Sequence, residues 1–325
     1  MNINKRTFLL GSAAAAGAIA MPSIVRAQAY PAKPVRVIVP FAPGGGNDFV
    51  ARVVMEHLGK ALGQNFIVEN MPGANAVVGL GALKRAKPDG YTLAISADST
   101  MVINPLLRND LPFDPLKDFT YIAGLSTAQF VLVARADLKV KNARELIELA
   151  KKNPGKVRFG SGGIGNMTHM AFEQFAADNG AQFLHVPYPG IGPAAAALLG
   201  GDVQTGTYSI QAVLGGIQKG DLIGIGIGQP MSILPNVPTF ADSGMPKYEA
   251  YTWIPLLGPA GLPPEIVKRL DAGVVKVLKD PKLIDQLAKG GWVPWYKTPA
   301  EIKQLVVDDL AKWKKIITDA KIEIK

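Results

Sequence analysis

The chain contains no cysteine, which excludes disulfides, thiol catalysis and zinc–thiolate sites. Charge is sparse, at 19% of residues, and the few aromatics are not interleaved with lysine and arginine, so no nucleic-acid surface is expected. Hydrolase signatures are missing as well. There is no His-Glu-x-x-His and no P-loop lysine after a glycine run, and Phe159 stands where a Gly-x-Ser-x-Gly elbow needs its first glycine. The three histidines, His57, His169 and His185, are isolated in sequence. Triads are recognised by geometry, so any of them remains a candidate base, although a helical or core histidine is the commoner case. No metal and no cofactor is expected. Beyond residue 29, no segment is long and apolar enough to span a bilayer.

The one marked apolar run lies at the start. Lys5 and Arg6 precede Phe8-Leu9-Leu10-Gly11, the run continues to Ala20, and Met21-Pro22 leads on to Ala27-Gln28-Ala29. A positive region, a soft apolar region and an A-x-A site predict an export signal cleaved after Ala29. A membrane anchor is the alternative, but the run is rich in glycine, serine and alanine and is broken by Pro22. Lys5-Arg6 resembles a weakened twin-arginine signal, which leaves the export route open. Removing Lys5, Arg6 and Arg26 lowers the formal charge from +9 to +6. Most of that excess falls on stretches such as Lys312-Trp313-Lys314-Lys315, which read as a solvated helix face. An apolar share of 48% is ample for a core, and the mature length suits two ordinary domains.

Patterning predicts an α/β chain throughout. Val35-Arg36-Val37-Ile38-Val39, Phe66-Ile67-Val68-Glu69, Tyr91-Thr92-Leu93-Ala94-Ile95 and Phe130-Val131-Leu132-Val133-Ala134 read as strands. Between the first two, Val50, Val53, Val54, Leu58 and Leu62 fall at helical spacing. Asn142 with Glu145, and Thr298-Pro299-Ala300-Glu301, are capping boxes, and Pro264 and Pro281 start two further helices. In the last helix Ile302, Leu305, Val306, Leu310, Trp313 and Ile317 form an apolar stripe, read as core. Phe183-Leu184-His185-Val186, Val203-Gln204-Thr205-Gly206 and Leu222-Ile223-Gly224-Ile225 are further strand candidates, and Trp253-Ile254-Pro255-Leu256-Leu257-Gly258 reads as a strand returning to the first lobe.

Two places repeat one design. A strand runs into Pro43-Gly44-Gly45-Gly46 and a helix, and Val157-Arg158-Phe159 runs into Gly160-Ser161-Gly162-Gly163-Ile164-Gly165 and another helix. Such loops aim free backbone N–H groups at an anion, and in open parallel sheets they lie where ligands bind. Two of them face to face would make a cleft. Gly160, Gly162 and Gly165 also match the G-x-G-x-x-G dinucleotide fingerprint, but the next strand ends in His185-Val186-Pro187-Tyr188, with no acid to hold a ribose. Binding of a smaller anion is the better reading.

The residues then carry a resemblance that runs the length of the mature chain. Pro40-Phe41-Ala42-Pro43-Gly44-Gly45-Gly46-Asn47-Asp48, Val68-Glu69-Asn70-Met71-Pro72-Gly73-Ala74, Pro88-Asp89-Gly90-Tyr91-Thr92-Leu93, Phe113-Asp114-Pro115-Leu116-Lys117-Asp118-Phe119 and Pro259-Ala260-Gly261-Leu262-Pro263-Pro264 resemble, in order, the Bug-type extracytoplasmic solute receptors of tripartite tricarboxylate transporters. The resemblance implies a two-lobed periplasmic binding protein of the type II flytrap kind, not an enzyme. Lobe I would comprise residues 30–126 with 230–325, and lobe II residues 127–229. It implies a monomer that captures a small organic acid for membrane subunits of such a transporter, with no nucleic-acid partner. Carried onto this chain, the first loop would hold a carboxylate through Phe41, Ala42, Gly44, Gly45 and Gly46, with Asp48 ordering the loop. Ser161, Gly162, Gly163, Asn166 and Thr168 would contact the ligand from lobe II, and Ser96, Ser99 and Thr100 would supply hydroxyls. Where amino-acid receptors of this kind carry an aspartate, this chain has Thr207-Tyr208-Ser209, so a ligand without an amino group is expected. Tyr208 would stack on a ring or fill space, and the hinge is placed at Phe130-Val131-Leu132 and Trp253-Ile254-Pro255. The alternatives are an exported enzyme acting on small carboxylates and a receptor serving a sensor kinase.

Overall fold

The β-branched run Val35–Val39 forms β1, buried except at Arg36, at the centre of three parallel strands. The computed structural model describes residues 30–73, 76–319 and 322; the expected export signal and Ala74 lie outside them. On either side of β1 lie β2 (Phe66–Asn70) and β3 (Thr92–Ile95), reached through helices α1 (Gly46–Leu62) and α2 (Val77–Lys84). Helix α1 stops where Gly63 takes a left-handed conformation and its N–H bonds back to the Gly59 carbonyl.

One long strand passes between the lobes, and a second begins where the chain returns to the first lobe. β4 (Phe119–Arg135) pairs antiparallel with β9 (Tyr251–Pro259) over residues 119–129, and β9 pairs with β3. From Phe130 onward β4 changes partners, pairing with β7 (Thr205–Ser209) and β8 (Leu222–Ile227). β10 (Val293–Lys297) joins β4 on the first-lobe side. The first sheet therefore runs β2-β1-β3-β9-β4-β10. The second holds β5 (Arg158–Ser161) and β6 (Leu184–Pro187) in the order β6-β5-β7-β4-β8. Each sheet is a parallel trio flanked by an antiparallel crossover strand, so the repeated strand–glycine loop–helix unit reflects two lobes built alike.

Local signals account for the helices. Asn142 caps α4 (Ala143–Lys152), accepting from the Glu145 N–H at 3.0 Å, while Glu145 accepts from the Lys141 N–H. Thr298 and Glu301 exchange bonds at the start of α10 (Pro299–Asp319). In α10 Ile302, Val306, Trp313 and Ile316 are buried. Leu305, Leu310 and Ile317 pack half-buried against the same cluster, so the expected stripe faces the core, with Ile316 added to it. β7 begins two residues later than the expected Val203, and β10 and a π-helical turn at Ser99–Ile103, followed by α3 (Asn104–Leu107), had no sequence signal.

Each lobe has its own core. Val54, Leu58, Leu93, Ile254 and Leu270 pack in the first, and Val131, Leu198, Tyr208 and Val213 in the second. A third cluster, including Phe159, Phe172, Trp253 and Trp313, runs through both. Trp253 is 1% exposed and its indole N–H donates to Asp309 at 3.1 Å. Trp253→Ala is expected to cost about 3–5 kcal/mol through cavity formation, read as a lowered denaturation midpoint.

Candidate functional site

A cleft of about 550 Å³ lies between the lobes. Phe41, the glycines at 44–46, Ser99 and Trp292 line it from lobe I, and Gly162, Met167, Ile191 and Ser209 from lobe II. The crossover strands contribute Ala128, Phe130 and Thr252. Alternation along β4 sends Ala128 and Phe130 into the cleft and Thr127 and Gln129 to the opposite face. Among the described residues, no Asp, Glu, Lys, Arg or His lines this cleft.

The first glycine loop is braced from behind. Asp48 accepts from the Gly44 N–H at 2.9 Å, from the Arg52 guanidinium at 3.1 Å and from Asn70 at 2.9 Å, and Asn70 also donates to the Phe41 carbonyl. Burial opposes ionisation of Asp48, yet the hydrogen bonds from Arg52, Gly44 and Asn70 outweigh it and hold the carboxyl below its usual range. With Asp48 turned back, no side chain caps the start of α1 at Gly45. Two further helices begin at the cleft without a side-chain cap: α6 (Ile191–Gly200) after Gly190, and α7 (Ile210–Lys219) after Ser209. Their unpartnered N–H groups and aligned peptide dipoles give a neutral cleft a positive potential.

The second glycine loop differs, because it spends its donors on its own side chains. The Gly162 N–H goes to the Thr168 hydroxyl at 2.9 Å, the Gly163 N–H to the Ser161 hydroxyl at 3.2 Å, and the Gly165 N–H to His169 Nδ1 at 3.3 Å. Asn166 caps α5 (Met167–Asp178), accepting from the Thr168 N–H. Ser161 is fully buried and lies 2.6 Å from His185 Nε2, and the His185 ring stacks on His169 with centroids 3.9 Å apart. A serine–histidine pair of this length suggests a nucleophile at first sight. Here the hydroxyl is sealed from the cleft and accepts from the loop backbone, so the pair fixes the loop. Desolvation first, and the neighbouring His169 second, push His185 down to about 3, which keeps its ring neutral.

Several residues expected at the ligand lie elsewhere. Tyr208 is fully buried in the second-lobe core, and its hydroxyl donates to the Ala194 carbonyl at 3.3 Å; the register of β7 opposite Val131 turns it inward, so it fills space. Ser161 and Thr168 stand behind the loop. Ser96 and Thr100 are fully buried beneath the cleft and their hydroxyls have no protein partner. Ala42 and Gly163 are not on the cleft wall, and Asp48 braces it from outside. Phe41, Gly44, Gly45, Gly46, Ser99, Gly162, Asn166 and Ser209 do line it. Sequence reasoning missed Asn47, Ile191, Gln211, Thr252 and Trp292. Only Phe130 and Ala128 could have been placed, from strand alternation at the expected hinge.

Under the cleft, Asp98 accepts from the Ser99 N–H at 2.7 Å, the Thr252 hydroxyl at 2.8 Å and the Trp253 N–H at 3.1 Å. Burial pushes its carboxyl up to about 7 against these bonds. Asp98 thereby ties two cleft residues, Ser99 and Thr252, to the crossover strand β9.

Two like α/β lobes with a cleft between them are the architecture of the periplasmic solute-binding proteins. Residues 50–322 match the sequence model described as "Tripartite tricarboxylate transporter family receptor", and the chain belongs to that family. Protein BugT of Bordetella pertussis is 32% identical over the full length of both chains. Among solved structures, R. palustris Rpa4515 with adipate is 27% identical, with a TM-score of 0.79 over 90% of this chain and 99% of that one. MatC of Rhodopseudomonas palustris with bound malate is 28% identical, with a TM-score of 0.75 over 89% and 100%.

The depressed His185 fixes the sign of an acid response. Between its unfolded value near 6.5 and its folded value near 3, the unfolded chain binds the extra proton. Its contribution to stability is full above pH 6.5 and is lost as pH falls toward 3. Melting temperatures measured from pH 7 to pH 4 are expected to fall less steeply for His185→Gln, which cannot titrate, than for the wild type.

Proposed function

We propose that the chain captures a small carboxylic acid with an apolar body and no amino group, and delivers it unchanged to membrane subunits of a tripartite tricarboxylate-type transporter. The observation that carries this reading is the set of three uncapped helix starts on a cleft without charged side chains. Backbone donors and dipoles favour an anion and need no buried arginine. An ammonium group would find no carboxylate on the wall to pair with, and its desolvation would go uncompensated. Phe41, Phe130, Met167, Ile191 and Trp292 suit a hydrocarbon or aromatic body. The adipate and malate bound by its solved relatives support the same ligand class.

In this account residues 1–29 direct export and are removed after Ala29, and the mature chain acts as a monomer. Lobe I comprises residues 30–126 and 230–325, and lobe II residues 127–229. The hinge lies where β4 exchanges partners at Gln129 and Phe130, opposite Tyr251. Contacts made by both lobes at once exist only in the closed form, so the ligand shifts the population toward closure. The membrane subunits then read the closed form.

Thermal-shift screening tests the reading directly. Benzoate, adipate and other acids without an amino group are expected to include one that raises the melting temperature by several degrees at about 100 times its Kd, where linkage supplies roughly 2.7 kcal/mol. Tight binding of aspartate or glutamate, with no response to the other acids, would contradict it. Gly45 has an ordinary φ of −79° and room for a Cβ, so Gly45→Val tests the donor surface without backbone strain. That variant should lose the shift. His57→Ala should keep it, because His57 sits on α1 against Asp280 and Gln286, away from the cleft.

A further inference from the structure

We propose that Gln211 is the residue that latches the two lobes together, seated on Gly291 across the mouth of the cleft and thereby setting both closure and ligand affinity. The proposal deepens the reading of the cleft as a ligand site and rests on it for the affinity effect alone. Gln211 lies in the first turn of α7 in lobe II, and it lines the cleft. Its side chain crosses to the turn that joins α9 (Pro281–Lys289) to β10 in lobe I. A Cβ built on Gly291 would fall 1.2 Å from Gln211 Nε2, so the amide occupies the space that any other residue at 291 would fill. Gly291 also has a φ of +72°, which favours glycine or asparagine there.

The seat is anchored to the anion-holding loop. Trp292 packs against Gly46, where an added Cβ would lie 2.6 Å from its ring, and Phe49 packs against Gly290, where an added Cβ would lie 2.3 Å from its ring. Gly46 and Phe49 belong to the start of α1. Gln211 therefore rests on a segment welded to the first glycine loop, and all of Gly290, Trp292, Gly46 and Gln211 line the cleft. A ligand held at the α1 start and the Gln211 contact both require the same closed arrangement. Each favours the other.

The chain lacks cysteine, so spin labels placed at Lys60→Cys on lobe I and Lys219→Cys on lobe II report the interlobe distance without background thiols. Pulsed dipolar spectroscopy on the mature protein, alone and with an acid found by thermal shift, should show a closed fraction that falls in Gln211→Ala and in Gly291→Asn. Asparagine tolerates the left-handed backbone and displaces the glutamine. The affinity for that acid should fall roughly five-fold in each, the size of one side-chain contact between the lobes. The double variant should be no worse than either single one, because both remove the same contact. An unchanged closed fraction in Gln211→Ala, additive losses in the double variant, or a ligand-free wild type with no closed population would each overturn the latch. A screen in which no acid binds would overturn the carboxylate reading instead and leave the ligand-free distance test standing. Because Gln211 is an exposed side chain, Gln211→Ala decides the matter even if Gly291→Asn fails to fold.

Discussion

An α-helix leaves its first N–H groups without partners inside the helix, and at some starts in this chain a side chain takes them up, as Asn142 and Asp280 do. At the cleft, α1, α6 and α7 start without such caps. The rest of the site follows from that omission. A wall made of backbone donors, phenylalanine, methionine and isoleucine has no fixed charge to neutralise, so an anion supplies the only full charge. Asp48 would have spoiled this by capping α1 from the front. The pull of Arg52 and Asn70 from behind keeps it out of the way and makes its carboxylate a brace for the loop.

The second constraint is that one strand is shared. β4 runs through both sheets, pairing with β9 up to Gln129 and with β7 and β8 from Phe130, so the lobes cannot separate without bending it where pairing changes hands. Asp98 is bonded to β9 at Thr252 and Trp253 and to the first-lobe turn at Ser99. It holds the floor of the cleft to the hinge strands. In the proposed mechanism, bending at Gln129 and Phe130 would move the lobe II loop and the α6 and α7 starts as one body, and closure would bring their donors to an anion held at α1.

Much of this was legible in the sequence, for local reasons. Val35–Val39 followed by three glycines, and the caps at Asn142 and Thr298, are read from neighbours a few residues apart. The alternation of strand and helix placed both glycine loops at the carboxyl ends of their strands. Which donors those loops keep was not legible. The Gly165 N–H is spent on His169, and the Gly163 N–H on a Ser161 that is itself held by His185, twenty-four residues away. Tyr208 was misplaced because its facing is set by pairing with Val131 on β4, far away in the sequence, which turns it into the second-lobe core. Trp292 and Gln211 carry no local signal at all, since they reach the cleft only through the packing of α9 and the hinge.

The central claim is that backbone donors at helix starts hold a carboxylate in a cleft without charged side chains. Calorimetric titration of one acid from the screen against its primary amide, which has the same shape without the charge, tests it most directly. The account predicts that the acid binds and the amide loses at least about 100-fold in affinity, in line with two or more charge-assisted hydrogen bonds at roughly 1.5–3 kcal/mol each. Equal affinity for acid and amide would mean that shape alone is read, and would contradict it.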